Sequence, residues 1–488
     1  MSLYTAVESK RKTDWLLVLL YFLLVGLGLS AVYSANYDPT YEINSLWDLQ
    51  GIKVGKQLAW VAVTLVVVFF LQLFDRQFYV GMAPVLYVTT LLLLGAVLIF
   101  GREIAGSLSW IVLGPVRFQP SEFAKFSTAL MVAFYLSGMN INLRKLPNFL
   151  ITALIILLPF GMVVLQGDAG TALVYTSFLL VLYREGLSGW FLVLFASVIA
   201  LFILTLVLTT FDPVSLEVLK SGSFTLTTSI SALMVGVALF LFRIDWVQSV
   251  IVAVAALVIY FLPSLLAGWH LLVGLGVMAF IGFFVAIFFD KIGKQNGGAL
   301  LSGILASAAA YIQTISYICS DILQPYQLGR ILVLLGVVDD SRGMGYNLNQ
   351  SLIAIGSGGL TGKGYLNGTQ IRGDFVPESD TDFIFCGIGE ELGFIGSVAV
   401  IVVFLFLLLR IIAVAERQKS NFTRIYGYGV ASILFFHFWI NLAMTIGLAP
   451  VIGIPLPLIS YGGSSFLGFS VLLFILIRLD SDKKNVVR

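Results

Sequence analysis

The chain has 488 residues, of which 59% are hydrophobic and only 11% charged, and its mean hydropathy is +1.00. Soluble domains carry about 25% charged residues, so the composition excludes a soluble globular protein, and a net charge of +2 gives no indication of nucleic-acid binding. Apolar runs of about 20 residues recur along the chain, and in lipid such runs must satisfy their own backbone hydrogen bonds as helices. The sequence therefore predicts an all-α polytopic membrane protein.

The periodic apolar runs predict about fourteen membrane-spanning helices. The predicted spans are 15–34, 57–75, 81–100, 123–139, 148–166, 170–184, 189–211, 222–242, 246–265, 269–289, 299–318, 387–414, 424–447 and 463–479. Lys and Arg are concentrated in alternate connections, from Lys10 to Lys12 at the start to Lys483 and Arg488 at the end. The positive-inside rule assigns these connections, and with them both termini, to the cytoplasm. The long connection 319–391 is then extracytoplasmic.

The chain divides by composition into three segments. Residues 1–211 and 301–488 contain the polar motifs, whereas 212–300 is apolar and has none of them. We interpret 212–300 as a module of about four inserted helices, because only an even number of extra spans leaves the following loop on the same side. The two cysteines, Cys319 and Cys386, are expected to be free thiols rather than a disulfide.

The long loop 319–391 is polar and rich in glycine, and long loops of this kind usually carry function. Its glycines, from Gly356 to Gly364, allow close backbone approach to a ligand and could cradle a phosphate through their N–H groups. Asp382 lies where this loop meets an apolar helix, a position that suits either a general base or a helix N-cap. We expect Asp382 to be the chemical centre. Glu390 and Glu391 follow inside the helix and need partners, for which Lys125 or an arginine is a candidate.

Three further polar groups accompany the loop. Glu122 and Lys125 are three residues apart on one helix face, so they form either a structural ion pair or part of an intramembrane cavity. Asp168 is placed either as a simple helix N-cap or beside the same cavity. The segment from Asn441 to Ser465 has prolines and glycines that break a helix, as a simple outer loop or as a cavity wall. His437 is expected to pack in the core.

Nine short strings that contain polar residues or glycine follow one another along the chain. They are Trp110-Ile111-x-Leu113-Gly114, Gln119-Pro120-Ser121-Glu122-x-x-Lys125, Tyr326-Gln327, Gln350-Ser351, Ile355-Gly356-Ser357-Gly358-Gly359, Gly368-Thr369-Gln370, Pro377-Glu378-x-x-Thr381-Asp382-Phe383-Ile384-Phe385, Glu390-Glu391-x-Gly393 and Ile454-Pro455-Leu456-Pro457-x-x-Ser460-Tyr461-Gly462-Gly463-Ser464. Together they resemble the SEDS family of cell-wall polymerases. The string from Val116 to Glu122 is more similar to the rod-shape branch, RodA, than to the division branch, FtsW.

The resemblance implies a helical bundle of about ten core spans, here with about four inserted ones. It implies an enzyme of the bacterial inner membrane that polymerises lipid II into glycan during cell elongation. It further implies a class B penicillin-binding protein and other elongation proteins as partners. Asp382 matches the family's catalytic aspartate. The residues assigned to substrate binding or the cavity are Trp110, Glu122, Lys125, Asp168, Gln350, Ser351, Gln370, Arg372, Glu378 and Ser460.

The chain departs from the family pattern in its string Asp380-Thr381-Asp382, where the family usually has histidine at the first position. Two carboxylates in this spacing suit a Mg²⁺ or Mn²⁺ ion, and the alternative is a reaction without a metal cofactor. The leaving group, undecaprenyl diphosphate, needs a cation nearby, for which Arg330, Arg342, Lys363, Arg372 and Mg²⁺ are candidates. A lipid II flippase and a noncatalytic scaffold are the competing functions.

Overall fold

The computed structural model describes residues 13–37, 52–104, 106–114, 116–139, 141–189, 191–192, 195–196, 329–330, 333–334 and 345–482. The chain divides into one unit of Met1–Leu187 and Gly345–Arg488 and a second unit of Ser188–Met344. The helices predicted at 212–300 lie outside the described residues, as do Cys319 and Arg342. All features below belong to the first unit.

The described part of this unit is a helical bundle with one small sheet. Its helices are α1 (Trp15–Ala35), α2 (Lys53–Leu71), α3 (Arg76–Phe100), α4 (Pro120–Leu136), α5 (Leu146–Leu165), α6 (Ala169–Val174), α7 (Phe178–Arg184), α8 (Tyr346–Ser357), α9 (Thr369–Arg372), α10 (Ile384–Glu416), α11 (Asn421–Thr445) and α12 (Gly463–Ser481). Seven of them, α1, α2, α3, α5, α10, α11 and α12, are long and apolar enough to cross a membrane. The predicted polytopic helical class is confirmed.

Helix α12 is the most enclosed of these seven, with 83% of its spanning window buried inside the protein. It packs against α2, α4 and α11, and its Phe466, Leu473 and Leu476 have almost no exposed surface. The faces of α1, α2 and α5 that point away from the bundle carry exposed Leu, Val and Phe. Such faces suit contact with lipid, which needs no polar covering.

The bundle has two ends, which we name by what lies there. The terminal end contains Asp14, before α1, and Asp480, near the end of α12. The carboxylate of Asp14 accepts from Arg410 at 2.7 Å and from Arg417 at 2.6 Å, and Arg417 also bonds Asp480 at 2.6 Å. Burial opposes ionisation of Asp14, but the hydrogen bonds from Arg410, the Leu17 amide and Arg417 outweigh it and lower its pKa. These bonds join α1, α10 and α12.

The loop end is the opposite one, where α1 ends and α2 begins. Here α3 leads into a three-stranded antiparallel sheet of β1 (Arg102–Ile104), β2 (Ser107–Leu113) and β3 (Val116–Phe118). This sheet is not among the elements predicted from the sequence. Its β-branched and aromatic residues favour strands, and its first turn contains Gly106 at φ +81°.

The predicted loop 319–391 is more regular than expected where the structure describes it. Helix α8 occupies Tyr346–Ser357, the short helix α9 follows at Thr369–Arg372, and α10 begins at Ile384. Helix α8 packs against α10 and α11, and Ser351 is fully buried between them. The segment is therefore a folded layer on the bundle rather than an open connection.

Candidate functional site

Asp382 lies in a tight turn of residues 377–383, which we call the Asp382 turn, immediately before α10. Glu378 adopts φ +54°, and its carbonyl accepts hydrogen bonds from the amides of Thr381 and Phe383, both at 3.1 Å. The Glu378 carboxylate also accepts from the Thr381 hydroxyl at 2.9 Å. The turn is thus closed by its own short-range bonds before any other element contacts it.

Three successive carbonyls of this turn are held by the segment that joins α11 to α12 and by α11 itself. The amide of Tyr461 donates to Asp380 at 2.8 Å, and the hydroxyl of Ser460 donates to Thr381 at 2.6 Å. The side-chain amide of Asn441 donates to the Asp382 carbonyl at 2.8 Å and to the Ile454 carbonyl at 2.7 Å. All three bonds use main-chain oxygens, so this support of the turn does not depend on the Asp382 carboxylate.

The Asp382 carboxylate is half-buried and lies against a glycine. A side chain at Gly453 would place its Cβ only 3.2 Å from Asp382 Oδ2, and Gly453 has φ +79°. The same stretch of chain contacts the start of α6, because a Cβ at Gly170 would lie 3.1 Å from the Ile452 carbonyl. Glycines at both points let three backbone segments meet around the carboxylate.

Asp380 is buried and paired. Its carboxylate oxygen Oδ2 lies 2.7 Å from Lys53 Nζ and accepts from Asn36 Nδ2 at 3.3 Å. Partial burial, followed by the negative charge of Asp380, raises the pKa of the neighbouring Tyr461 phenol. Tyr461 therefore stays protonated and neutral beside the turn at physiological pH.

Helix α10 is broken ten residues beyond the end of the Asp382 turn. Gly393 has φ 66° and ψ −163°, which is not helical. The carbonyls of Glu390 and Glu391 lose their helical partners there and instead accept from the amides of Lys363 and Gly364, both at 3.0 Å. Across the break, the amide of Phe394 donates to Gly359 at 2.9 Å. The glycine-rich segment is thus inserted into the gap, where it completes the backbone hydrogen bonds.

The Glu390 carboxylate collects donors from the same segment. It lies 2.6 Å from Lys363 Nζ and accepts from the amides of Gln370 and Ile371 at 2.9 and 3.1 Å. Glu391 accepts from the hydroxyl of Ser34. Neither predicted candidate, Lys125 or an arginine, is the cation on Glu390: that cation is Lys363, from the loop that fills the helix break.

The predicted phosphate cradle at Gly356–Gly364 is also wrong where these amides can be followed. The amides of Gly362, Lys363 and Gly364 donate to protein carbonyls at 2.9, 3.0 and 3.0 Å. The N–H groups of Lys363 and Gly364 donate to the α10 carbonyls left open by the helix break, and that of Gly362 donates to Gly358 within the segment, so all three are used inside the protein. The glycines serve close packing instead, since a Cβ at Gly362 would lie 2.0 Å from the Glu391 carbonyl.

Glu122 and Lys125 form the predicted pair inside the bundle. Lys125 Nζ lies 2.8 Å from Glu122, and both side chains are 3% exposed. The same ammonium lies 2.9 Å from His437 Nε2 and 4.9 Å from the centre of the Phe469 ring. His437 is buried as predicted, but it is also a polar partner of Lys125 and joins α11 to α4.

We expect Lys125→Met to destabilise the protein by about 3–5 kcal/mol, because it leaves the buried Glu122 carboxylate without its cation. The matched control is Arg184→Met, which removes an ion pair with Glu416 whose side chains are 54% and 47% exposed. Surface pairs contribute little, so the control should melt close to the parent. Thermal unfolding in detergent measures both, and equal melting temperatures for the two variants would contradict the prediction.

The polar strings resemble those of a known family, and comparison with known proteins tests whether this chain is a member. The sequence profile of the FtsW/RodA/SpoVE family, described as cell cycle proteins, matches residues 14–219 and 215–485. This chain belongs to that family. The peptidoglycan glycosyltransferase MrdB of Escherichia coli K12 is 31% identical over 443 residues, covering 89% of both chains. The peptidoglycan glycosyltransferase RodA of Treponema pallidum is 30% identical and covers 93% of this chain and 94% of its own.

Solved structures agree with this membership. A chain of a peptidoglycan synthase complex, described as coordinating polymerization and crosslinking, aligns with a TM-score of 0.59 and 27% identity over 97% of this chain and 99% of its own. The rod shape determining protein RodA of Thermus thermophilus aligns with a TM-score of 0.54 over 97% of this chain and 98% of its own. At 22% identity, that match bears on the fold alone.

Within this FtsW/RodA/SpoVE chain, several predicted site residues lie close to the Asp382 turn. Glu378 is part of the turn and accepts from Thr381 within it. Ser460 donates to the turn from outside. Asp168 caps α6 by accepting from the Thr171 amide at 3.0 Å, and it also accepts from Gln119 Nε2 at 2.9 Å. Because α6 contacts Ile452 beside Gly453, Asp168 is both an N-cap and a neighbour of the site.

Other predicted residues have structural partners. The hydroxyl of Ser351 donates to the Thr445 carbonyl at 2.6 Å and contacts the thiol of Cys386, which is free and buried. The main-chain N–H of Gln370 donates to the Glu390 carboxylate. Arg372 is exposed, and its guanidinium carbon lies 5.7 Å from the centre of the Tyr37 ring. Gln350 lies half-buried on α8 and Trp110 half-buried on β2. Of the leaving-group candidates, Lys363 is engaged by Glu390, and Arg330 belongs to the second unit.

Two residues that contact Asp380, Lys53 and Asn36, were not predicted from the sequence. Asn36 lies 344 residues before Asp380 in the chain. One signal was present. Lys53 and Lys56 are positive charges at the start of a span whose preceding connection is otherwise acidic, which is unusual for that side of a membrane.

Proposed function

We propose that this protein polymerises lipid II into glycan strands during cell elongation, with Asp382 as the general base. Its relatives in the family are named peptidoglycan glycosyltransferases, which supports the same enzyme class for this chain. The observation that carries the role of Asp382 is the three-point support of its turn through Tyr461, Ser460 and Asn441. A carboxylate on such a fixed backbone keeps its angle toward a substrate during the reaction.

In the proposed reaction the C4 hydroxyl of the acceptor sugar attacks the anomeric carbon of the donor. Asp382 accepts the hydroxyl proton as the new C–O bond forms. The bond between the anomeric carbon and the diphosphate oxygen breaks, its electron pair leaves with undecaprenyl diphosphate, and the anomeric configuration inverts. Among the cation candidates, Arg372 is an exposed guanidinium at the loop end, which suits the developing charge on the leaving group.

We propose that this chemistry proceeds without a metal ion at Asp380 and Asp382. A hard divalent cation needs several free oxygen ligands, but the Asp380 carboxylate already binds Lys53 and Asn36. Within the residues that the structure describes, no group of three or more His, Cys, Asp and Glu side chains could hold a metal. The donor set around the Asp382 turn therefore fits an ammonium better than Mg²⁺ or Mn²⁺.

The proposed setting is the inner membrane of a bacterium, with the loop end facing outward and both termini in the cytoplasm. The terminal end supports this orientation, because it gathers Arg76, Arg184, Arg417 and Arg424, and positive connections stay inside. The outward loop end would meet lipid II after its translocation. A class B penicillin-binding protein is the proposed partner, in line with the related synthase complex that coordinates polymerization and crosslinking.

The test is a polymerisation assay with the purified full-length protein in detergent, supplied with fluorescent lipid II, with and without a class B penicillin-binding protein. A ladder of glycan products is expected. The same preparation in liposomes should be assayed for translocation of lipid II. Translocation without glycan would assign the chain to the transporters instead. Absence of both activities, together with cells that tolerate Asp382→Ala, would assign it a scaffold role.

A further inference from the structure

We propose that Lys53 is a positioning residue for this reaction: its ammonium locks the Asp380 carboxylate and thereby fixes the turn that presents Asp382. This inference rests on the proposed role of Asp382. It adds a residue from α2 to the machinery, far from the motifs that surround the turn in sequence.

The burial of the two partners is unequal, which shows which of them depends on the other. The Asp380 side chain is 4% exposed, whereas the Lys53 side chain is 49% exposed. A carboxylate enclosed to that degree must be compensated by a cation or by hydrogen bonds. Lys53 Nζ at 2.7 Å is the nearer partner, and Asn36 Nδ2 at 3.3 Å bonds the same oxygen. Among the described residues, loss of the Lys53 ammonium leaves the Asp380 side chain only the longer contact with the Asn36 amide.

The placement of Lys53 on its helix also calls for an explanation. It is the first residue of α2, whose N-cap residue, Ile52, offers no side-chain hydrogen bond. The positive end of a helix dipole disfavours a cation in this first turn. The short contact with Asp380 offsets that penalty and accounts for a lysine at this position.

The contacts of Lys53 and Asn36 with the Asp380 carboxylate connect the turn to two helices, α1 and α2. Asn36 follows the end of α1 and Lys53 starts α2, so both ends of the α1–α2 connection meet on Asp380. One helical turn further along α2, Gln57 accepts from the amide of Gly462 at 3.3 Å. The preceding residue, Tyr461, donates its amide to the Asp380 carbonyl. Thus one face of α2 supports Asp380 directly and also supports the segment that holds its main chain.

Asp380 is therefore held at both its side chain and its carbonyl, two residues before Asp382. Without the Lys53 ion pair, the Asp380 carboxylate would turn toward solvent, and the turn would lose one of its supporting contacts. The bonds from Ser460 and Asn441 would still close the turn. The expected consequence is a loosened Asp382 carboxylate, with kcat reduced about 10-fold to 100-fold and KM for lipid II unchanged.

A double-mutant cycle in the full-length protein tests this mechanism with fluorescent lipid II. Lys53→Met and Asp380→Asn should each lower kcat, and the double variant should be no slower than the slower single one, since both remove one interaction. Lys53→Arg should keep most of the activity. The matched control is Lys56→Met, an exposed lysine one turn further along α2, which should behave as the parent.

Three outcomes would overturn the proposal: parental activity in Lys53→Met, losses that multiply in the double variant, or a rise in KM with kcat unchanged. The last two would mean that Lys53 acts on the substrate and not through Asp380. Unchanged melting temperatures across the set separate these effects from misfolding. Failure of the proposed function has a different signature, because it requires that Asp382→Asn polymerise normally, whatever the result of the cycle.

Discussion

Asp382→Asn is expected to lower the rate of lipid II polymerisation by about 10²–10⁴-fold, the usual effect of removing a positioned general base. The substitution keeps the size of the side chain but removes its negative charge and, with it, its ability to accept a proton. The turn should survive, because Tyr461, Ser460 and Asn441 bond main-chain carbonyls. The measurement is the initial rate of glycan formation from fluorescent lipid II by the purified protein, together with its melting temperature.

Asp374→Asn is the matched control for this variant. Asp374 is exposed in the same loop, eight residues earlier, and has φ +55°. Asparagine tolerates that conformation as well as aspartate does, so neither the fold nor the rate should change. A rate for Asp382→Asn within a few-fold of the Asp374→Asn rate would remove Asp382 from the mechanism.

Gly393→Ala is expected to abolish the folded state or to lower its melting temperature more than any other single change described here. A Cβ at this position would lie 2.3 Å from the amide nitrogen of Gly362 and 2.8 Å from the Leu360 carbonyl. In addition, φ 66° with ψ −163° is a region that only glycine occupies readily, at a cost of about 1–3 kcal/mol for other residues. Relief of the clash would expel the glycine-rich segment and leave the broken helix without hydrogen bonds.

Gly387→Ala on the same helix gives the opposite expectation. A Cβ there would meet Ile371 at 3.7 Å, an ordinary contact. Alanine in a helix interior is more favourable than glycine by about 0.5–1 kcal/mol, so this variant should melt at or above the parent temperature. Size-exclusion profiles and thermal unfolding in detergent compare the pair. A Gly393→Ala protein as stable as Gly387→Ala would mean that the inserted segment is not held as described.

The two predictions concern one continuous piece of structure. The Asp382 turn leads directly into α10, and the break at Gly393 anchors residues 359–364 through Glu390 and Glu391. The same glutamates bind the amides at α9 and the hydroxyl of Ser34 on α1. The first part of α10 is thus fixed on both sides, which gives the turn at its start a rigid base.

The class of the protein and its local pairings follow from the amino-acid sequence alone. Apolar runs imply helices because lipid offers the backbone no partners, and the described residues form seven helices long and apolar enough to cross a membrane. Glu122 and Lys125 pair as predicted because three residues along a helix bring side chains together. Asp168 caps α6 for an equally local reason. The family could be recognised from the sequence because the resemblance rests on short strings and their order along the chain.

Which distant groups meet depends on the packing of the helices and loops in three dimensions. Lys363 rather than Lys125 neutralises Glu390, because the choice depends on which loop fills the break at Gly393. Lys53 reaches Asp380 through the packing of α2 beside the Asp382 turn, a contact that no local spacing encodes. The amides of the glycine-rich segment bind protein carbonyls instead of a phosphate. In each case helix packing sets the partner, whereas sequence spacing sets only what lies within one turn of helix.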